Sequence, residues 1–480
     1  MAGSQQPGGR GPIGPVLFFH GAAEGRAALA AVAICREDAP QPVVEAGGRA
    51  IAPQTVLRRA GRRVVRWAFD LPMAAATGYA VDGAWVPVST GFGGDLRLAY
   101  VSCNGRERGD LGRDLAERNA MWRRLGAAIE ARPAQLLLQG GDQLYADEVV
   151  EAHPLSAAWA RGETADPGPE ALAELREALA AAYLDRYAAL YAQPEVAHVM
   201  VRVPTLAMWD DHDIVDGWGS LPEARLDAPV GRALFAAARE AFLIFQLGAA
   251  PGALPGQVLD REGASLGWHA ALPGLDIVAP DLRSERRPDR VMGPAGWAGF
   301  ERALARAQGA RLLVMSSVPA VGPRLSWVER AMQLTRRMEK YEDDLRDQWQ
   351  SRAHRAEWRR FLSALAALHE RPGRAVTLVS GEIHLATHGT MATAAGPLHQ
   401  LVASGIAHPV APRLYALGLG ALAALGEAPL PRHPLRLHPL PGQRRIYAAE
   451  RNFLWLERRD GAWQAVWELE ESGTSPALPL

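Results

Sequence analysis

Leu136-Leu137-Leu138-Gln139-Gly140-Gly141-Asp142-Gln143-Leu144-Tyr145 is a short apolar run that ends in a polar cluster. It reads as a strand whose carboxyl end delivers Asp142 and Tyr145. Three other stretches repeat the arrangement. Leu96–Val101 runs into Ser102-Cys103-Asn104, Thr205–Met208 into Trp209-Asp210-Asp211-His212-Asp213, and Ala375–Ser380 into Gly381-Glu382-Ile383-His384. Open α/β sheets build their sites at the carboxyl ends of strands. Carboxylates, imidazoles, a phenol and a thiol buried together without a cation would repel or stand unpaired, so four such ends predict a metal centre.

Outward from these ends, helical segments around 114–131 and 169–192 alternate with the strands, and later strands fall in LDIVAP, RLLVMSS and HQLVAS. Two closing strands fall in IYAAERNFLWLE and WQAVWELE. The alternation predicts an α/β core. Upstream, 15–89 holds short apolar runs broken by Gly, Pro and Asp, which predicts a small β-sandwich joined to the core by Thr90–Gly94. The expected organisation is a flexible N-terminus over 1–14, a β-sandwich over 15–94, and a catalytic domain over 95–480 with a helical insertion over about 322–370. That insertion carries charges of both signs at i,i+4 spacing and reads as a solvated lid.

The 480 residues exceed what one core usually organises, which fits two domains. With 52 basic against 53 acidic residues, no global field recruits nucleic acid or an acidic membrane. Lys340 is the only lysine, which rules out a P-loop. Two cysteines, Cys35 and Cys103, exclude a disulfide scaffold, and a start without an apolar leader completes an expectation of cytoplasmic residence. The longest apolar run, Leu414–Leu425, is too short to span a bilayer and reads as a buried helix or an interfacial segment.

The ordered motifs resemble those of the calcineurin-like metallophosphoesterases. GD supplies Asp142 as a metal-bridging carboxylate. DDHD stands in the place of GNH followed by an acid, with Asp211 as ligand, His212 as catalytic histidine and Asp213 as its orienting acid. GEIH stands for GHxH, with Glu382 and His384 as ligands. Cys103 in Ser-Cys, Tyr145 three residues past Asp142, and Trp209-Asp210-Asp211-His212 resemble the PhoD-like branch more closely. The resemblance implies a β-rich N-terminal region, then a four-layer α/β/β/α domain that hydrolyses phosphate mono- or diesters with two metal ions.

Ligand chemistry divides that site. Cys103, Tyr145, His384 and Asp142 are electron-rich donors suited to a transition metal, Fe3+ first, while Asp142, Asp211 and Glu382 are oxygen donors suited to Ca2+, Mg2+ or Mn2+. Ser316 and Ser317 stand where the wider superfamily places another histidine. Arg283, just past LDIVAP, is the expected phosphate-binding residue. Asp147 and Glu148 read as loop carboxylates, and His408 reads equally well as cleft lining or scaffold. The resemblance implies a small-molecule or polymeric phosphate ester as substrate, and no specific nucleic-acid partner and no transmembrane segment are expected. A non-catalytic metal- or phosphate-binding protein on the same fold is the alternative.

Overall fold

The computed structural model describes residues 11–163, 166–323 and 347–480. Strands Leu96–Val101, Leu136–Gly140 and Thr205–Met208 lie parallel and adjacent, as do Leu275–Ala279, Arg311–Ser316, Ala375–Ser380 and Gly396–Val402 in a second sheet. Leu136–Gly140, Thr205–Met208 and Arg311–Ser316 are buried at every position, the mark of strands covered on both faces.

The two sheets face each other and are tied by indole donors. Trp268 Nε1 donates to Ala207 O at 2.7 Å, and Trp467 Nε1 donates to Val402 O at 2.9 Å. Gly381 permits the close approach at one end, since a Cβ there would stand 2.3 Å from Ser102 Oγ. Helices Ala120–Ala131, Pro169–Tyr191 and Pro229–Phe245 accompany the first sheet, and Pro294–Arg306 and Arg355–His369 the second, giving the expected α/β/β/α layers. The closing strands are Asn452–Arg459, paired antiparallel with Leu96–Val101, and Ala462–Leu469, paired antiparallel with Asn452–Arg459.

The N-terminal strands form two layers. Ile13–Ala23, Arg26–Arg36, Arg62–Pro72 and Gln54–Arg59 make one, and a four-stranded sheet that includes Val44–Ala46 and Thr77–Val81 makes the other. Trp67, Phe69 and Leu71 are buried while Ala68 and Asp70 are exposed, the period-2 pattern of a sheet with one wet face. The first layer is continuous with the core: Ile13–Ala23 pairs in parallel with Thr205–Met208, making an 11-stranded sheet. Of the helical insertion, 324–346 lies outside the described residues, as do 1–10 of the N-terminus.

Candidate metal centre

The four strand ends meet. Cys103 N donates to Gly141 O at 3.2 Å, Asn104 N to Asp142 O at 2.8 Å, and Gly381 N to Ser317 O at 3.1 Å, so the turns support one another through their backbones. Gly141 has φ +102°, and a Cβ there would come within 2.8 Å of Asp210 Cβ. Among the described residues nine non-glycine residues adopt positive φ, and four of them are Cys103 (53°), Asp142 (56°), Glu382 (65°) and His384 (53°). Left-handed backbone at residues with a Cβ costs free energy and persists where the surroundings over-determine it, commonly at functional sites.

Two groups of ligand atoms lie within 4.8 Å of one another, Cys103–Asp142–His384 and Asp142–Asp211–His212, and they share Asp142. Tyr145 joins the first: its hydroxyl lies 3.2 Å from His384 Nε2 and its ring stacks on His212 at 4.4 Å between centroids. Glu382 belongs to neither group; both its oxygens accept from Gln348 Nε2, at 3.0 and 2.9 Å.

The donors fit a cation. Asp142 Oδ1 and Asp210 Oδ2 are buried with no hydrogen-bond partner. Burial raises the Asp142 carboxyl well above its usual range, with Asp210 and Asp211 adding to burial and only His212 opposing it. Burial likewise raises the Cys103 thiol, helped by the Asp142 charge, and lowers the His384 imidazole. The two acids are held in their neutral forms for want of positive charge, which a bound metal ion supplies, and the neutral imidazole of His384 is the form that ligates a metal.

His212 behaves oppositely. Burial would neutralise it, but the carboxylates of Asp147, Asp211 and Asp142 prevail and hold its pKa well above 6.5. Its Nδ1 lies 3.0 Å from both oxygens of Asp147. The acid against the His212 ring is thus Asp147 and not, as the sequence led us to expect, Asp213. Asp213 accepts instead from the backbone amides of Asp142 (3.0 Å), Leu144 (2.9 Å) and Asp210 (2.9 Å) and from Gln246 Nε2 (2.7 Å). It fastens the Asp142 turn to the Asp210 turn. The signal for Asp147 was present in GGDQLYADE, two residues past Tyr145.

Arg283 also requires correction. It is 0 % exposed, with Nε on Asp210, Nη1 on Trp218 O (3.1 Å) and Asp347 (2.7 Å), and Nη2 on Asp347 (2.5 Å) and Asp211 (3.3 Å). With its fork committed to carboxylates, it holds Asp210 and Asp211 in place and does not present donors to a phosphate. Ser317 Oγ adds a 2.8 Å bond to Asp210 and so braces the acidic turn. His408 does reach the site, with its ring against His384 (3.3 Å between centroids) and Nε2 3.3 Å from Glu107. His388 lies apart, on a neighbouring strand, with Nε2 2.9 Å from His399 Nδ1.

Facing sheets whose strand ends converge on a donor cluster centred on one Asp define the calcineurin-like metallophosphoesterase class. The chain belongs within it to the PhoD related phosphatase family, which matches residues 84–341, more than half of its length. Its fold is similar to the structure of PhoD, with a TM-score of 0.60 and 11 % identity over 99 % of this chain and 90 % of that one. It is also similar to purple acid phosphatase PPD1 from seeds of yellow lupin (Lupinus luteus), with a TM-score of 0.52 and 9 % identity over 98 % and 74 %. In sequence it is 23 % identical over 396 residues to an uncharacterized protein of Saccharomyces cerevisiae, covering 68 % of this chain and 56 % of that protein. The chain thus spans about half the length of the relative it matches. Among the described residues no helix is long and apolar enough to cross a membrane.

Proposed function

We propose that the protein hydrolyses phosphate esters at a dinuclear metal centre bridged by Asp142. The observation that carries this reading is the sharing of one buried, partnerless carboxylate oxygen side between two ligand groups of different chemistry. Cys103, His384 and Tyr145 would hold the softer metal, for which Fe3+ is the best match, and Asp211 would hold a Ca2+, Mg2+ or Mn2+ ion, with Glu382 joining when it exchanges Gln348 for that metal. When bound, the two ions supply positive charge for the phosphate oxygens and lower the pKa of water for in-line attack.

The remaining chemistry belongs to side chains. His212, kept protonated by its carboxylate neighbours, has Nδ1 against Asp147 and therefore offers the proton on Nε2 to the leaving-group oxygen. Stacking of Tyr145 on His212 fixes the ring plane. Asp213 and Arg283 fix the two acidic turns from behind. A second reading has His212 Nε2 as a ligand, since that residue falls in the Asp142–Asp211 group. Metal analysis of the purified protein, together with assays on phosphate mono- and diesters after reloading apoprotein with each metal, tests the proposal. Two metals and metal-dependent turnover are expected. Full metal loading with no hydrolysis of any ester would leave a binding protein on the same fold.

A further inference from the structure

Nine large hydrophobic side chains stand exposed among the described residues, and seven of them fall in 111–115 and 410–425. Isolated exposed leucines are ordinary; a concentration of this kind marks an interaction face. The first segment and the residues leading into the second touch beside the site. Arg113 Nη1 donates to Ala407 O at 2.7 Å, and Glu107 lies against His408, which stacks on His384.

The helix Arg413–Ala423 at the centre of this rim is inside out. Ala416 and Ala423 pack on Leu385 and Tyr447, and Gly420 lies over Ile446 and Tyr447. Leu414 is 83 % exposed and Leu417 45 %, with Leu425 just beyond the helix at 73 %. A helix that meets only water buries its leucines and exposes small or polar residues. The helix has 11 residues, about 16 Å at 1.5 Å each, so it can lie in a bilayer interface but not cross one.

Charge selects the occupant. From Pro409 to Gly426 the only residue charged at neutral pH is Arg413, which pairs with Glu471 at 3.3 Å. Exposed Arg436, Arg444 and Arg445 flank Leu437 and Ile446, which pack beneath the helix. Two copies meeting about a two-fold axis through this face would bring like charges together. An anionic bilayer meets both features, taking the leucines among acyl chains and the guanidinium groups among phosphates.

We infer that the rim formed by 111–115 and 410–425 docks this protein on the surface of an anionic lipid bilayer. The site's mouth then faces the headgroups, and phosphate esters of lipid headgroups become its substrate class. That last step rests on the phosphoesterase reading; the docking does not.

The test uses the full chain with vesicles of phosphatidylcholine, with and without phosphatidylserine. Wild type is expected to co-sediment with the anionic vesicles. The double variants Leu414→Ser/Leu417→Ser and Arg444→Gln/Arg445→Gln should each reduce the bound fraction about five-fold or more. Both should hydrolyse a soluble aryl phosphate within about two-fold of wild type, because exposed substitutions leave the fold intact. Wild type remaining in the supernatant with both vesicle types, or variants that bind like wild type, would overturn the docking. So would a wild-type dimer that the leucine variant converts to monomer, which assigns the face to a second copy. Wild type that sediments but hydrolyses neither soluble nor lipid ester supports the docking and removes the phosphoesterase reading.

Discussion

On the Cys103 and His384 side of Asp142, burial pushes the thiol up and the imidazole down, so both stand neutral. On the Asp211 side, Arg283 and His212 set positive charge against the carboxylates. The first side sets no cationic side chain against Asp142, whereas the second already holds two among its carboxylates. A metal on the first side replaces missing counter-charge and should bind tightly, although it must displace the Cys103 proton. A metal on the second side competes with an arginine and an imidazolium already in place, so it should exchange more readily.

The largest effect should come from the residue both halves share. On the proposed dinuclear reading, Asp142→Asn would remove the one charge available to both ions, so loss of both metals and of all detectable turnover is expected, read by elemental analysis and ester hydrolysis. Two retained metals with near-normal rates would place the bridge elsewhere and erase the contrast. Next is His212→Ala, expected to lower turnover about 10²- to 10⁴-fold, the usual worth of a positioned acid, with metal content unchanged. The loss should shrink on esters with good leaving groups, which need no proton. A fall in hard-metal content instead would make His212 a ligand.

The two acids near His212 separate chemistry from scaffold. Asp147→Asn keeps the shape but removes the charge that holds the imidazolium, so turnover should fall about 10-fold or more with little change in melting temperature. Asp213→Ala strands three backbone amides and the Gln246 amide, at about 1–3 kcal/mol for each buried donor left unpaired, so its first symptom should be lower thermal stability. The reverse pattern would restore Asp213 as the orienting acid.

These two residues also show what sequence makes legible. Strand ends were readable because an apolar run followed by a polar cluster is a local signal, and all four ends converge. Which carboxylate a ring faces is not local. Asp213 is adjacent to His212 in sequence, but the short 3-10 turn Asp211–Asp213 directs it back to backbone amides, while Asp147 reaches His212 from another loop. Arg283 had the right chemistry for phosphate, yet Asp347, 64 residues away, closes over its fork. The two layers of 15–94 were legible from short broken runs, whereas the continuity of one layer with the core depends on a single parallel pairing, Phe18 with Thr205. Nothing in the apolar run Leu414–Leu425 tells which face is inward; the small residues Ala416, Gly420 and Ala423 decide it only once Tyr447 and Leu385 are placed against them.

The smallest effect on rate, and the finest test of the contrast, belongs to Cys103. Its sulfur lies 3.5 Å from Asp142 and 3.2 Å from Ser404 Oγ, and it is wholly buried. Bound to Fe3+ it must be thiolate, which together with the Tyr145 phenolate should give visible charge-transfer absorption and resistance to alkylation until the metal is removed. Burial alone also slows alkylation, so the informative comparison is the same folded protein before and after metal removal. Cys103→Ser offers a harder and less acidic oxygen, so weaker binding of the softer metal and a changed spectrum are expected. Turnover after metal resupply should fall only several-fold, about 1 kcal/mol of barrier, because His212 and Asp211 are untouched. Hard-metal content should stay the same, since that ion's charge balance is set by Asp211 and Arg283. Equal loss of both metals in this variant would mean that the two halves are not electrostatically separate, and a spectrum identical to wild type would return Cys103 to the role of a buried strand-end residue.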